Sequence, residues 1–464
     1  LNLKGARLDD VTLANYRETL EKNSPEVVLL TPRVAGSGYF AEFGWAGTGI
    51  TLPNGDTVWE ASSDTLTDKA PITLHWVNPA GIRFEQEIAL DKHYMFTVIM
   101  RVINTTKAAI QLSPYSLVNR THNVEGLLGV SGDTLNEHLY EDVRQGKIID
   151  NATPSWAGIT DKYWLTALIP DHSTAKNTKT TYQHYTSDTD IRYQVDMLGA
   201  PIAVAAGATI EHTAHFFAGA KLVGLLDDYA AQYNMTMFDR AVDFGALYFL
   251  TRPFFEALTF FHSHLGNFGL AIMALTILVK AVLFPLANKS YASMSQMKLM
   301  MPKMKEIKER FADDRVRMNQ EIMTMYKTEG VNPASGCLPL LIQMPVFFAL
   351  YKVLFITIEM RHAPFYGWIQ DLSAQDPTNF FTLFGLIPWD APSMLHVGVW
   401  PIIMTVTMVI QQHLNPKPTD PTQAQVMQFL PYMFLFIFAS FPAGLVIYWA
   451  WNNSLSITQQ YIIT

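Results

Sequence analysis

The side chain with the clearest capacity for chemistry is Lys280, which lies inside a long apolar run, residues 268–286 (FGLAIMALTILVKAVLFPL). A hydrocarbon core about 30 Å thick needs roughly 20 helical residues, so the run predicts a membrane-spanning helix. A charge within such a helix costs roughly 2.5–3.5 kcal/mol and usually faces a polar cavity or a partner. Snorkelling is the alternative, because only about 9 Å of helix rise separates Lys280 from Leu286.

Other polar residues in the apolar runs could line the same groove as Lys280. One lies a helical turn before it, one lies in a second run, and three recur every four residues in the last run, so that those three share a helix face. These candidates are Thr276, Gln343, Tyr448, Asn452 and Ser456. Each could instead simply bond to a neighbouring helix. A groove that is open to the cytoplasm and ends within the membrane explains the whole set with one assumption.

Other reactive patterns in the sequence are weak. Ser295 and Lys298 have the S-x-x-K spacing of some serine acyl enzymes, but the sequence has no S-D-N or K-T-G companion. It has no Walker-type glycine loop, and its histidines lack the spacing of a metal site. The single cysteine, Cys337, excludes an internal disulfide. We therefore predict no enzyme activity, no cofactor, no metal and no direct nucleic-acid recognition.

The elements that must position these residues follow from charge and hydropathy. Residues 1–250 carry 19 Lys+Arg and 29 Asp+Glu, whereas residues 251–464 carry 14 and 12 and hold nearly all the long apolar runs. We predict an α-helical membrane domain with five spans, at about 268–286, 336–358, 394–411, 427–441 and 443–462. The stretch 288–332 carries nine basic residues and the loop 359–392 only one. By the positive-inside rule, the basic stretch and the C-terminus are cytoplasmic and the acidic half is outside.

The basic stretch, residues 288–332, has a helical period with a break at residues 312–314 and predicts a helical hairpin. Methionines recur along it at three- and four-residue spacing, as in a short antiparallel coiled coil. They are Met294, Met297, Met301, Met304, Met318 and Met325. Such a stripe is either the seam of the coiled coil or an adaptable surface that binds a partner, and the sequence leaves both open.

The acidic half predicts an all-β sandwich over residues 1–219. From Val27 onwards, short β-branched and aromatic runs alternate with turn signals such as Pro53-Asn54-Gly55, whereas residues 1–26 show no clear period. Nothing in this half names a ligand, so a scaffold or binding domain is expected. Residues 220–266 predict a helical connector that ends in an aromatic-rich interfacial helix, and residues 267–464 form the membrane domain. Since the acidic half needs a route across the membrane, we expect an anchoring or targeting segment before Leu1.

Three stretches carry a family resemblance: LTILVKAVLFPLANKSYASMSQMK, VNPASGCLPLLIQMPVFFALYKVLF and FPAGLVIYWAWNNSLSITQQ. In order and spacing they resemble the YidC membrane insertases of Gram-negative bacteria over residues 250–464. The acidic sandwich is similar to the large periplasmic domain of that family. The resemblance implies a β-supersandwich outside the inner membrane, five core helices, and a cytoplasmic hairpin. It also implies a transmembrane helix before the sandwich and, in many members, a basic tail after the last helix.

The function that the resemblance implies is that of an insertase and chaperone. A hydrophilic groove takes up nascent membrane proteins and releases them into the lipid bilayer, alone or beside the Sec translocon. Lys280 falls where the family has a groove arginine, Thr276 matches a groove threonine, and Trp449 replaces the second of two tyrosines, of which Tyr448 matches the first. Further implied partners are accessory subunits, the ribosome and the signal-recognition-particle receptor. A lysine in place of arginine keeps the charge but loses the bidentate fork.

A secondary transporter that uses Lys280 as a substrate counter-ion is the alternative function. Transporters of this kind usually show repeated halves or interrupted helices in matching positions. Neither pattern occurs in the sequence, so insertion is the leading hypothesis.

Overall fold

The computed structural model describes the chain except residues 35–36, 122–124, 172, 188–189, 331–337, 390–391, 393–394, 415–420 and 464. Cys337 and the first residues of two predicted spans, at 336 and 394, lie outside the described residues. The chain divides into two compact units, Leu1–Asp243 and Phe244–Thr464. The first is mainly β and the second is helical. The predicted combination of an antiparallel β-domain with a helical C-terminal region is therefore confirmed.

The first unit, the β-unit, consists of two antiparallel sheets. Its strands are β1 (Val11–Arg17), β2 (Glu26–Val34), β3 (Ser37–Ala46), β4 (Glu60–Ala61), β5 (Ile72–Val77), β6 (Arg83–Leu90), β7 (Met95–Ile103), β8 (Ile110–Thr121), β9 (Gly126–Ser131), β10 (Thr134–His138), β11 (Ile148–Asp150), β12 (Pro154–Thr160), β13 (Trp164–Pro170), β14 (Lys179–Ser187), β15 (Asp190–Leu198), β16 (Ile202–Val204) and β17 (Thr209–Ala220). One sheet has the order β1-β2-β3-β8-β15-β14-β11, with β16 beside β8, and the other has the order β10-β9-β12-β13-β17-β7-β6-β5-β4.

Alternating burial along the strands explains why these residues pack as a sandwich. In β7 the side chains of Val98, Met100 and Val102 are buried and the residues between them are half-buried. In the neighbouring strand, Ile88 lies opposite Val98 and Phe84 opposite Val102. Each fully buried side chain of this size contributes roughly 1.5–3 kcal/mol. A slip of one residue would turn this whole set away from the core, so burial fixes the register.

The N-terminal residues contain a strand that the sequence pattern did not reveal. In β1, Val11 pairs with Leu30 and Leu13 pairs with Val27 of β2. Only these two of its seven residues are buried, and the pairing register shifts twice. An edge strand with so few apolar positions leaves too short an alternation to recognise in the sequence.

Part of the predicted connector packs within the β-unit. The helix α1 (Tyr140–Gln145) joins β10 to β11, and α2 (Val223–Gln232) follows β17. Val223 and Leu226 of α2 are buried, and the Trp156 indole N–H of β12 donates to the Thr236 carbonyl oxygen at 3.0 Å. The chain beyond the last strand is thereby tied to the β-unit as far as Asp243.

The second unit, the helical unit, holds the residues of the predicted groove. Its helices are α3 (Tyr248–Leu265), α4 (Phe268–Val282), α5 (Phe284–Arg310), α6 (Arg315–Thr328), α7 (Leu338–Ile356), α8 (Val399–Leu414), α9 (Pro421–Ala439) and α10 (Ala443–Ile463). The last helix contacts α4, α5, α7 and α8. It is therefore the element around which the predicted site is arranged.

The first predicted span is broken at Leu283. Helix α4 ends at Val282, and α5 begins at Phe284 at an angle of 69° to it. Pro285 accounts for the break, because it has no N–H to donate to the last turn of α4 and its fixed backbone angle suits the first turn of a new helix. Among the described helices, none meets the length and hydropathy required for a membrane span by itself, whereas α4 and α5 meet them as a bent pair. The count of five spans stays a prediction.

The basic stretch forms two helices in contact, the second part of α5 and α6. Asp314 caps α6 by accepting a hydrogen bond from the Arg317 N–H at 3.0 Å. The Lys303 ammonium pairs with the Glu329 carboxylate at 2.7 Å, and the Tyr326 hydroxyl donates to the Met304 sulfur. The proposed cytoplasmic position of this pair stays a prediction.

Candidate functional site

Lys280 and Ser456 meet at the centre of the candidate site. The Lys280 ammonium donates a hydrogen bond to the Ser456 hydroxyl at 2.7 Å, and that hydroxyl donates to the Asn452 carbonyl oxygen at 2.8 Å. The Tyr291 side chain of α5 lies next to Ser456. Ser456 and Tyr291 are buried and Lys280 is half-buried. Three helices, α4, α5 and α10, thus bring one cation and two hydroxyl groups together.

A second polar contact joins α7 to α10. The Gln343 side-chain amide donates to the Tyr448 hydroxyl, which is buried. Tyr448, Asn452 and Ser456 are all buried along one face of α10, and Gln460 continues this row by one more turn. The sequence-predicted polar face of the last helix therefore packs inside the helical unit. It connects the Gln343 contact with the Lys280 contact.

Thr276 is positioned differently from the other candidates. Its hydroxyl donates to the Ile272 carbonyl oxygen of its own helix at 2.7 Å, and the side chain is buried. A threonine that bonds back to its own helix satisfies its donor without a partner from another element. Thr276 therefore shares a face of α4 with Lys280, but its hydroxyl donates its hydrogen bond within α4.

Trp449 lies away from the polar residues. Its ring centroid is 4.8 Å from that of Phe347 in α7 and 5.0 Å from that of Phe438 in α9. One residue turns a helix by about 100°, so the neighbour of Tyr448 faces a different side of α10. The structure places Trp449 in an apolar contact among three helices, apart from Lys280.

The six methionines of the predicted stripe are all buried or half-buried. Met294 and Met304 are buried, whereas Met297, Met301, Met318 and Met325 are half-buried. The exposed large apolar side chains that the structure describes on these helices are Phe284, Leu299, Val316 and Met323, none of which belongs to the stripe. Whether the stripe serves as a seam or a docking surface stays open, and Met304 at least lies in the contact between the two helices.

Sequence reasoning did not single out several residues of this region. Ser290 and Tyr291 are buried, although the sequence prediction assigned them to the exposed hairpin. Asn453 is buried beside the polar face, and its amide donates to the Thr407 hydroxyl of α8 at 3.2 Å. The sequence did contain a signal for Ser290 and Tyr291. A serine next to an aromatic residue, within an otherwise charged stretch, indicates a buried position.

The described residues of the segment between α7 and α8, residues 357–398, contact the starts of two helices, and we call this segment the cap segment. Its Pro364 carbonyl oxygen accepts a hydrogen bond from Asn267 at the start of α4, at 3.1 Å. Its Ala374 carbonyl oxygen accepts one from the Ala443 N–H of α10 at 2.7 Å. The cap segment therefore lies where α4 and α10 begin. Lys280 is twelve residues into α4, roughly 18 Å of helix rise from that end.

One carboxylate holds the cap segment in place. Asp376 is 2% exposed. It accepts hydrogen bonds from the Trp368 indole N–H at 3.1 Å, the Thr378 hydroxyl at 2.6 Å and the Trp400 N–H of α8 at 2.9 Å. A Cβ atom on Gly398 would lie 2.5 Å from the Asp376 carboxyl carbon, so only glycine fits there. All of these donors are neutral, and they solvate the buried charge without a basic partner.

Most helices around Lys280 contain no acidic residue, and the two glutamates of α5, Glu306 and Glu309, lie in the last turns of that helix. The sequence of α4, α7, α8, α9 and α10 contains no aspartate or glutamate. In the described part of the chain, no group of three His, Cys, Asp or Glu side chains is arranged to hold a metal ion. The arrangement can attract an anionic group and hydrogen-bond a polar one.

Two family descriptions match adjacent parts of the chain. The YidC periplasmic domain matches residues 1–257, and the 60Kd inner membrane protein family matches residues 260–464. A relative from Rickettsia bellii, named membrane protein insertase YidC, is 47% identical over 100% of this chain and 85% of its own length. A relative from Granulibacter bethesdensis with the same name is 50% identical over 100% of this chain and 84% of its own length.

A solved structure described as an active YidC insertase with its first transmembrane domain resolved is 18% identical, with a TM-score of 0.40. The similarity covers 94% of this chain and 88% of that one. The identities to the Rickettsia and Granulibacter proteins extend over the entire chain and include both family regions. The resemblance noted in the sequence is confirmed, and the chain belongs to the family of YidC membrane protein insertases.

Proposed function

We propose that the chain inserts nascent membrane proteins by holding their polar segments briefly at the positive site around Lys280 and releasing their apolar segments into lipid. The observation that carries this proposal is the pairing of the Lys280 ammonium with the neutral Ser456 hydroxyl, in helices without acidic residues. Among the described residues, no carboxylate offsets this charge. The charge can therefore lower the cost of bringing an acidic segment partway into the membrane.

The substrate itself supplies the driving force in this mechanism. Transfer of an apolar helix from the site into lipid removes apolar surface from water, at roughly 25 cal/mol per Å². The residues of the site only have to shelter the polar part for the time that this transfer takes. Ser456, Asn452, Tyr448 and Gln343 offer hydroxyl and amide groups for that purpose, beside the charge of Lys280.

The topology that fits this mechanism has the β-unit and the cap segment in the periplasm and the C-terminus in the cytoplasm. Residues 1–219 form the periplasmic sandwich, residues 220–266 the connector and residues 267–464 the membrane core with five spans. The bonds of the cap segment to the starts of α4 and α10 support a groove that is closed on the periplasmic side. The basic stretch around α5 and α6 then faces the cytoplasm.

The partners in this proposal are nascent membrane proteins and the lipid bilayer. The Sec translocon with its accessory subunits, the ribosome and the signal-recognition-particle receptor are further proposed partners. Support for a cytoplasmic partner comes from the exposed side chains of Lys303 and Lys305 on α5. An exposed basic helix attracts acidic surfaces and nucleic-acid-rich particles through long-range charge.

The test compares Lys280→Ala with Lys280→Arg in vesicles that contain the full chain. Two substrates are used that differ only in whether the translocated tail is acidic or neutral. We expect Lys280→Ala to impair insertion of the acidic-tail substrate and Lys280→Arg to support it. Lys289→Ala, which removes an exposed lysine of the neighbouring helix, is the matched control. Equal insertion of both substrates by Lys280→Ala would contradict the proposal and favour snorkelling of Lys280.

A crosslinker at position 280 tests the contact directly. With a ribosome-stalled nascent chain, we expect adducts to the polar tail at one stalled length and none after release into lipid. Solute uptake by the same vesicles, measured with and without Lys280, separates insertion from transport. Uptake that depends on Lys280 would favour the transporter.

A further inference from the structure

The cap segment displays a cluster of apolar side chains to the outside. Between Phe380 and Trp389, which we call the apolar knob, seven large apolar residues are exposed, with Leu386 reaching 83%. They are Phe380, Phe381, Leu383, Phe384, Leu386, Ile387 and Trp389. The sequence from residue 377 to residue 389 contains no charged side chain. Contiguous apolar exposure of this kind marks an interaction surface.

The backbone of the apolar knob is held in a conformation that keeps these side chains outward. Leu383 and Phe384 are consecutive non-glycine residues with φ of +46° and +59°, in the left-handed region that side chains with a Cβ rarely adopt. Hydrogen bonds enforce this turn, from the Phe384 N–H to the Asn379 carbonyl oxygen and from the Ile387 N–H to the Thr382 carbonyl oxygen, both at 3.0 Å. The exposed apolar side chains are therefore fixed in place by a strained turn.

The base of the apolar knob is attached to the helix ends. The Phe380 N–H donates to the Val397 carbonyl oxygen at 2.8 Å, next to Gly398 and the start of α8. Behind the knob lies a cleft of about 460 Å³, lined by aromatic side chains together with the polar Thr378, Asn379 and His396. Aromatic side chains above a polar base match the water–lipid boundary, where tryptophan and other amphipathic rings concentrate.

We propose that the apolar knob inserts into the interfacial layer of the outer leaflet and anchors the cap segment to the lipid. This inference rests on the topology of the proposed function, which places the cap segment in the periplasm. A lipid surface fits better than a protein partner, because residues 377–389 offer no charge for an electrostatically specified contact and the apolar side chains project from a tight turn. The anchor holds the closed end of the helical unit at a fixed depth.

The test places a single labelled cysteine in the knob after the native cysteine has been replaced. In a Cys337→Ser background, Leu386→Cys is labelled with an environment-sensitive fluorophore, and the full chain is placed at one copy per lipid nanodisc. Lys305→Cys, an exposed position on α5, is the matched control. We expect a blue-shifted emission for the probe at position 386 and stronger quenching by lipids with a nitroxide near the head of the acyl chain than by lipids with a nitroxide near its end. Emission and quenching equal to those at position 305 would overturn the proposal.

A second measurement separates lipid from protein as the occupant. In detergent-free nanodiscs with one copy and no other protein, a blue shift without nitroxide quenching would mean that the chain itself covers the knob, and would overturn the proposal. Insertion of the acidic-tail substrate is measured on the same labelled protein. A water-exposed probe with normal insertion refutes only the anchor, whereas a lipid-exposed probe with no dependence of insertion on Lys280 refutes only the proposed function.

Discussion

Two lysines, one in each unit, are accommodated in different ways. In the β-unit, Lys221 donates to the Thr160 hydroxyl at 3.0 Å, and the carboxylates of Glu125, Asp161 and Asp243 act on its charge. In the helical unit, Lys280 donates to the Ser456 hydroxyl, and among the described residues no carboxylate accompanies it. The first lysine has carboxylates of its own domain nearby, which offset part of the cost of burying its charge. The second is left available, which is what a site for acidic substrates requires.

Charge reversal at Lys280 gives the largest effect we expect from this difference. Lys280→Glu turns an attraction of roughly 1.4 kcal/mol for an acidic tail into an equal repulsion, so the insertion rate falls about a hundredfold. A substrate with a basic tail should recover much of the lost rate. The measurement is the protected fraction of each substrate after timed insertion into vesicles. If tail charge makes no difference to the variant, the charge at position 280 does not act on the substrate.

Removing the Asp376 carboxylate tests how the helical unit balances a buried charge with neutral donors. Asp376→Ala leaves the Trp400 N–H and the Trp368 indole N–H without their acceptor, so we expect a loss of about 2 kcal/mol in the free energy of unfolding. Denaturant unfolding in detergent measures it. Asp371→Ala removes a half-buried carboxylate whose hydrogen bonds, among the described residues, come from Ser373, and it should cost less. Equal losses would show that Asp376 has no special part in holding the cap segment.

The pH dependence of stability tests Lys221 in the β-unit. Burial lowers the pKa of Lys221 from 10.5 to about 8, so the unfolded chain holds this proton at pH values where the folded chain has released it. Stability then rises with pH through this interval, and the rise is absent from Lys221→Met. Between about pH 7.5 and 9.5 we expect the parent to gain roughly 1.5 kcal/mol relative to the variant.

Burial raises the pKa of tyrosines in the β-unit, and these tyrosines are present in both the parent and Lys221→Met. Their contribution to the pH dependence of stability therefore cancels when the two proteins are compared. Lys69→Met, which removes an exposed lysine of the same unit, is the control. A parent and a Lys221→Met variant with the same pH dependence would mean that the lysine is hydrated in the folded chain.

The smallest effect is expected from the hydroxyl that accepts the Lys280 hydrogen bond. Ser456→Ala leaves the cation in place and lets water replace the hydroxyl, so insertion of acidic tails should fall only about threefold, or roughly 0.7 kcal/mol. Ser454→Ala, on the same helix but bonded to the Ala450 carbonyl oxygen, is the matched control. A loss as large as that of Lys280→Ala would mean that Ser456, rather than the charge, is the main contact.

The sequence was a good guide to the fold where burial imposes a regular period. Alternating residues such as Val98, Met100 and Val102 predicted strands, and the apolar runs predicted helices, because each pattern reflects one buried face. It failed at β1, where only Val11 and Leu13 are buried, and at Leu283, where one proline ends a helix inside a uniformly apolar run. Local geometry overrode the periodic pattern at both places.

The candidate site was predictable to the extent that helix periodicity decides which side chains share a face. Tyr448, Asn452 and Ser456 form one buried row, as the spacing of four indicated. Tyr291 was missed because its contact with Ser456 depends on how α5 continues after a bend, which spacing does not encode. Trp449 was chosen by family resemblance, and its surroundings in the structure are apolar. The roles of all these residues in insertion stay predictions.

The distance along the chain between Lys280 and Ser456 has a consequence for biogenesis. The acceptor is encoded 176 residues after the lysine, and translation at about 5–20 residues per second delivers it roughly 9–35 s later. Until the ribosome has produced the last helix, the newly made protein carries an ammonium whose own acceptor does not yet exist. During that interval the nascent protein itself is a substrate with an unpartnered charge in a membrane helix. A completed copy already in the membrane is suited to insert it.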